Sequence, residues 1–345
     1  MIYDVSIIGG GPAATAAAIV CARGGLRCRI LTPMKGRNTA AFLKVPSRVM
    51  LPVESMHPGV ESLLRHLGIS SILDQTSRGS YSAILMGGVP RPLSPDPYDP
   101  WQGIHICRSD FDRLLLESCR ATSVETVHST PICGIEVSGQ LAEVRTTGGE
   151  TFVSRWVIDG TGRRALLGGL LRLERRLLSP PLIAWTGVAP APPGSQSWEH
   201  PRFLPEAHGW TWMTQPIEGS VTWTRLMPTR RSDPAPPMEL QSESASNAHK
   251  AANVQWRIFK GIAAQGFVLA GDAAGMLDPA CGQGVLNALY SGIRAATCIV
   301  QCVHNPVRTT SYLREYDDWF TARFETMAGT LRGFYTDLGV DPDSV

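Results

Sequence analysis

The stretch Asp4-Val5-Ser6-Ile7-Ile8-Gly9-Gly10-Gly11-Pro12-Ala13-Ala14 constrains this chain more than any other. An apolar run of strand length passes directly into glycines and then into an alanine-rich helix pattern, and a second strand follows that ends at Thr32. A turn this tight between a buried strand and a helix needs Gly9. Gly11 lets a ligand approach the backbone, and the small Ala14 lets the helix pack onto the strand. Pro12 suits a first helical position, where the N–H it lacks has no intrahelical partner. The start of such a helix offers free N–H groups and a positive dipole end to a phosphate. The pattern predicts a parallel α/β core that holds a dinucleotide through Gly9, Gly11, Pro12, Ala13 and Ala14.

One element departs from that pattern. An acid is expected about 20 residues past the glycines, on the ribose hydroxyls. The second strand ends instead on Thr32, and the next acid is Glu54. A threonine hydroxyl makes one bond where a carboxylate makes two, so Arg37 or backbone is expected to complete the contact.

A second strand-to-helix junction lies far downstream, from Phe267 to Gly292. It carries Gly271-Asp272, then Pro279, then Gly282-Gln283-Gly284, and enters a helix near Val285. NAD needs no such second junction. FAD does, because it adds a ribityl chain and a flavin ring. Asp272 then faces the ribityl hydroxyls and Pro279 turns the chain beneath the ring. The helix start at Gly282, Gly284 and Val285 faces the N1–C2 edge, where a reduced flavin is anionic. Read alone, the downstream glycines fit a turn and a flexible loop equally well.

The rest of the chain narrows the class. At 345 residues it suggests about two domains. With 43% hydrophobic and 18% charged residues it reads as globular, and a net charge of +2 argues against nucleic acid as a partner. The eight cysteines are scattered, with no paired C-x-x-C and no H-E-x-x-H, so no metal is expected. No apolar run reaches the roughly 18 residues of a membrane span. The chain opens on a strand without a cleavable signal, which predicts a cytoplasmic protein. Residues 34–58 read as loop-rich, 59–69 as a short helix, and 88–103 as a proline-rich loop or sheet edge. Residues 108–121 read as a helix capped by Ser109. The tryptophan-rich span 180–230 reads as a second sheet, 230–253 as a mobile connector, and 310–338 as an aromatic helix.

Four motifs together resemble a known family. They are Gly9 to Ala14; "RSDFDRLL", which places Arg108 near a flavin; "VIDGTGRRA", with Asp159 and Gly160; and the downstream junction. The chain is similar to the FAD-dependent aromatic hydroxylase superfamily, in the branch shared by flavin-dependent halogenases and geranylgeranyl reductases. The resemblance implies an α/β fold: a Rossmann-type, GR2-like FAD-binding domain with an inserted antiparallel substrate sheet and a C-terminal helix. Residues 1–75, 106–180 and 257–345 would form the FAD-binding part, and 76–105 and 181–256 the substrate part. "LPVESMHP" resembles the branch's Gly-Glu-Ser-x-x-Pro loop beside the flavin, with Val53 in place of the glycine. It supplies Glu54 and His57 as candidate acid or base groups, against the plainer reading of a helix cap and a surface histidine. "GWTWMTQP" resembles a Trp-x-Trp element and offers Trp210 and Trp212 as walls of a substrate pocket, or simply as core of the second sheet.

Halogenases of this branch carry a lysine between flavin and substrate, and here none occurs between Lys44 and Lys250. The chain looks most like the small lysine-free flavoproteins that hydroxylate a protein tryptophan during tryptophylquinone cofactor formation. That resemblance implies an FAD monooxygenase using O2 on an aromatic ring, with a peptidyl tryptophan of a partner protein as substrate. No second strand-bounded G-x-G-x-x-G is present. Reduction would therefore come from transiently bound NAD(P)H or a separate reductase. Two alternatives stand beside it: an FAD-dependent reductase or dehydrogenase of an unsaturated small molecule or lipid, and a non-catalytic flavoprotein chaperone of a precursor protein.

Overall fold

The strand Tyr3–Ile8 lies inside a parallel sheet, between Thr151–Asp159 and Cys28–Thr32. Phe267–Leu269 and Glu125–His128 extend the sheet on either side, also in parallel. Val5, Ile7, Ile30, Leu31, Val157 and Ile158 are fully buried, as strands covered on both faces require. The computed structural model describes residues 2–32, 53–94, 96, 98, 101–128, 131–192, 194–229, 236–237, 240 and 249–340. An antiparallel meander, Ile132–Ser138 and Leu141–Thr146, joins the sheet along Thr151–Asp159.

Helices Pro12–Arg23 and Gly284–His304 pack against each other through small residues. A Cβ on Gly292 would fall 2.3 Å from the Ala13 carbonyl oxygen. This close approach packs the start of the first helix onto the second helix about two turns after its own start, more than 250 positions away in the chain.

A seven-stranded sheet forms the second layer. It runs in the order His249–Asn253, Leu182–Pro190, Ser220–Pro228, Gly209–Ile217, Arg202–Glu206, Ala83–Met86, Val89–Pro92. All its pairs are antiparallel except Arg202–Glu206 with Ala83–Met86. The proline-rich strand takes the edge, where a missing N–H costs no ladder bond. One face of this sheet buries Met213, Val221 and Trp223. The other buries Trp210 and Leu226 against Leu331 and Tyr335 of the C-terminal helix Thr309–Asp337. No helix among the described residues is long and apolar enough to cross a membrane.

A three-stranded sheet, Val53–Met56, Gly103–Cys107 and Ser77–Tyr81, links the two layers. The segment read as loop-rich through Pro58 thus contains a strand, because Gly103–Cys107 supplies a ladder for it. The Val53 N–H also donates to Thr222 of the large sheet at 3.1 Å. Ser109 does not cap its helix. Arg108–Ser118 starts after Cys107 with no side-chain cap, and the Ser109 hydroxyl lies 3.3 Å from the Cys107 thiol. Of the span read as a mobile connector, His249–Asn253 forms an edge strand, while 230–235, 238–239 and 241–248 lie outside the described residues.

His105 ties the layers together. Its ring is buried, with Nδ1 3.0 Å from the Ser55 hydroxyl, Nε2 3.4 Å from the Thr214 hydroxyl, and a stacked Tyr81 ring at 4.7 Å. Burial pushes its pKa down from 6.5 to about 4. A folded pKa below the unfolded one means that stability is complete above pH 6.5 and is lost as pH falls toward 4. The loss from this one group reaches about 3 kcal/mol. Denaturant midpoints measured across that window should fall steeply in the wild type and less steeply in His105→Gln. Equal slopes would contradict the assignment.

Candidate flavin site

Two helix starts and one acidic turn build the site. At the first junction Gly9 holds φ at +117°, and a Cβ there would fall 2.4 Å from the Gly160 carbonyl oxygen. Gly160 in turn allows no side chain, since a Cβ would meet the Ala14 methyl at 2.8 Å. The helix Pro12–Arg23 begins after Gly11 with proline first and no side-chain cap. Its leading N–H groups are left for a ligand.

The second junction meets the first directly. Gly271, at φ +62°, sits between them: a Cβ there would touch Ala13 at 3.3 Å and Ala288 at 3.4 Å. Its N–H donates to the Ser291 hydroxyl at 2.8 Å. Helix Gly284–His304 also begins without a side-chain cap, just after Gly282 at φ +65°. Among the described residues, a Cβ on Gly11, Gly282 or Gly284 would meet nothing within 4 Å. These glycines border open space beside two uncapped helix starts, which is the shape an extended dinucleotide fills. The residues present therefore fit FAD.

Electrostatics add direction. Asp272 is half-buried, and burial pushes its carboxyl up to about 6, while Arg108, Arg257 and Arg163 pull it back. Arg108 makes a two-oxygen contact with Glu54, at 3.1 and 2.8 Å, and donates from Nε to Asp112 at 2.8 Å. Burial alone would lower the Arg108 pKa, but Glu54 and Asp112 outweigh it and hold the guanidinium charged. Glu54 is thus an ion-pair partner and caps no helix; the helix after it, Val60–His66, starts without a side-chain cap.

His57 accepts the Gly59 N–H on Nδ1 at 3.0 Å and lies edge-on to Trp101, with ring centres 6.0 Å apart. Burial, then the Arg323 charge, lowers its pKa. The neutral ring must carry its proton on Nε2, so it presents a donor. Read from sequence as acid or base, it is built for the donor role.

Asp159 is fully buried and spends both oxygens on its own chain, accepting from Thr161 N–H at 2.9 Å and Leu167 N–H at 2.7 Å. It shapes the turn carrying Gly160, and each oxygen makes one bond of the two it can accept. Trp210 is core and not pocket wall: it is 2% exposed, packs on Phe203, and donates its indole N–H to the Tyr335 hydroxyl at 2.7 Å. Trp212 is half-buried along the same core. Thr32 is fully buried at the end of its strand, opposite His128. Pro279 is exposed and Val285 buried, one on each side of the helix start. Arg37 lies outside the described residues.

The residue that sequence reasoning missed is Asp278. It is 1% exposed and accepts three bonds, from Ala280 N–H at 2.8 Å, the Trp256 indole at 2.6 Å and the Tyr335 hydroxyl at 3.0 Å. The chain Trp210–Tyr335–Asp278–Trp256 thus fastens the large sheet and the C-terminal helix to the second junction. The Asp278-Pro279 doublet is the local mark of this acid in the sequence.

A sequence model of the tryptophan halogenase family matches residues 102–337, well over half of the chain. The chain belongs to this family. Its fold is that of the FAD-dependent oxidoreductases, a Rossmann-type α/β core carrying an antiparallel sheet. A curated relative, the 1H-pyrrole-2-carbonyl-[peptidyl-carrier protein] chlorinase of Pseudomonas fluorescens, is 24% identical over 404 residues, covering 99% of this chain and 86% of its own. The flavin-dependent halogenase armH3 of Armillaria mellea is 25% identical over 365 residues, covering 87% and 68%. Among solved structures, the peptidyl tryptophan dihydroxylase QhpG, essential for tryptophylquinone cofactor biogenesis, superposes with a TM-score of 0.75 at 21% identity, over 97% of this chain and 75% of that one. The flavin-dependent halogenase CmlS gives 0.79 at 20% identity, over 100% and 66%. This halogenase-family chain therefore shares its architecture with a protein named as a halogenase and with one named as a peptidyl tryptophan dihydroxylase.

Proposed function

We propose that the protein is an FAD-dependent monooxygenase that hydroxylates an aromatic ring presented by a peptide or carrier protein, a tryptophan side chain being the favoured ring. The observation that carries this reading is the absence of lysine from residue 45 to 249 in a family whose halogenases carry one between flavin and substrate. The lysines that follow are elsewhere: Lys250 lies in the edge strand His249–Asn253, and Lys260 is paired with Glu174. Around the flavin turn the cations are guanidiniums, of Arg108, Arg163 and Arg257, and an arginine stays protonated where a lysine can titrate.

Bound and reduced, FAD would supply oxygen activated from O2 for insertion into the ring. The chain's own groups have other tasks. Gly9 to Ala14 and the start of Gly284–His304 hold and orient the nucleotide. Asp272, kept ionised near neutral pH by three arginines against its burial, suits the ribityl hydroxyls. Glu54 fixes Arg108 in place. His57 offers an Nε2 proton at the edge of the same loop. A protein-borne substrate is supported by the names of two similar proteins, one acting on a carrier-bound pyrrole and one on a peptidyl tryptophan. Electrons would come from NAD(P)H directly or through a separate flavin reductase.

Halogenation is the second reading, favoured by the family match and by both curated relatives. One experiment separates the two. The FAD-loaded protein is supplied with a flavin reductase, NADH, O2 and a tryptophan-bearing peptide, with and without bromide, and the products are weighed by mass spectrometry. One or two added oxygen atoms, unaffected by bromide, are expected. Bromide incorporation would overturn hydroxylation in favour of the second reading.

A further inference from the structure

A cavity beside the Asp272 turn lies between the turn after Asp159, the helix Leu166–Leu170, and the strands Arg175–Leu177 and Arg257–Phe259. Its volume is about 480 Å³. The exposed Arg163, Arg164, Arg172 and Arg175 line it together with Arg257, which is 8% exposed, and no carboxylate among the described residues does. None of the first four donates a side-chain hydrogen bond or forms an ion pair among the described residues. The neighbouring acid, Glu174, is already paired with Lys260.

Five guanidiniums around so small a space repel one another. Burial pulls the Arg257 pKa down; Asp272 supports its charge and Arg175 opposes it. The backbone is unusual at the same place. Ala165 and Arg172, at φ 44° and 54°, are the non-glycine residues with positive φ among the described residues, and both line this cavity. The cavity has an ordered floor, since a Cβ on Gly168 would meet the Phe259 ring at 2.8 Å. Concentrated guanidinium forks without side-chain partners, four exposed at the rim of a concave site and one buried at its base, match a phosphate group, which accepts paired N–H bonds from a fork.

We propose that this cavity binds a phosphate-bearing ligand, held by Arg163, Arg164, Arg172 and Arg175. Its lining includes none of Gly9 to Ala14, the helix start assigned to the FAD diphosphate, although Arg163 and Arg257 reach Asp272 from its other side. The ligand class is a phosphate ester, which exists both on free nucleotides and on phosphopantetheine arms.

Calorimetric titration of inorganic pyrophosphate into the full, FAD-loaded chain at fixed ionic strength tests the site. One equivalent should bind. The double variant Arg164→Ala/Arg172→Ala should bind at least tenfold more weakly, with the flavin spectrum and melting temperature unchanged. No binding to the loaded protein overturns the proposal. So does binding only after FAD is stripped, which would mark the cofactor's own diphosphate subsite, and so does unchanged affinity in the double variant. Equal competition by sulfate at matched charge would show general counter-ion attraction and also overturn it. AMP and 4′-phosphopantetheine then identify the source: tighter AMP indicates a nucleotide, and tighter phosphopantetheine indicates a pantetheine arm.

Discussion

Gly9→Ala should yield protein without bound flavin. The added methyl would fall 2.4 Å from the Gly160 carbonyl oxygen and 2.8 Å from its carbon, and both are backbone atoms that cannot rotate away. The native φ of +117° adds a strain of about 1–3 kcal/mol for any residue with a Cβ. Relief requires the turn to open, which moves the helix start away from the phosphates. A loss of roughly 3 kcal/mol corresponds to about a hundredfold weaker FAD binding, measurable by fluorescence titration. Gly11→Ala provides the contrast. Its Cβ meets no described residue within 4 Å and its φ of −89° suits alanine, so the fold should melt as the wild type does. Flavin affinity should still fall, because the methyl occupies ligand space. Wild-type flavin content in Gly9→Ala would contradict the junction geometry.

Asp278→Ala should be the most destabilising change at the second junction. It orphans three donors at once, two of them indole or phenol groups buried between layers. At about 1–3 kcal/mol per unsatisfied group, a loss of roughly 3–5 kcal/mol follows. Asp278→Asn keeps an acceptor and should lose far less. The asparagine also tests the charge. Burial pushes the Asp278 carboxyl up to about 6 from 3.8. A raised folded pKa means that the stability is complete below pH 3.8 and is lost as pH rises through 6, a swing of about 3 kcal/mol. This runs opposite to the His105 effect over the same window. Chemical denaturation from pH 4 to 7 should therefore show a steeper net loss toward low pH in Asp278→Asn than in the wild type. Identical pH profiles would contradict a buried, titrating Asp278.

The parts of the site legible in the sequence are those where a local constraint dictates residue type. Gly9 and Gly271 hold positive φ, and Ala14 meets Gly160 at a distance only small residues permit. Such demands leave a mark within a few neighbouring positions. Residues whose roles stay open in the sequence depend on distant partners. Alternation puts Trp210 and Trp212 on one face of a strand, but the helix that covers that face supplies Tyr335, 125 residues on. Asp278 meets Trp256 and Tyr335 at separations of 22 and 57 residues. Glu54 pairs with Arg108 across 54 residues, so its ion pair was invisible beside the nearby helix start. Asp159 contrasts with these, because its partners, Thr161 and Leu167, are close in the chain. The cavity arginines look like ordinary surface charge until the fold gathers them.

The claim on which the rest depends is that the starts of Pro12–Arg23 and Gly284–His304 grip opposite halves of one nucleotide. Titration of flavin-stripped protein with FAD and, in parallel, with FMN addresses it directly, because FMN lacks the adenylate half that the first junction is built to hold. FAD should bind at one equivalent and FMN at least about a hundredfold more weakly, a difference near 3 kcal/mol. Equal affinity for the two flavins, or no binding of FAD, would contradict the account.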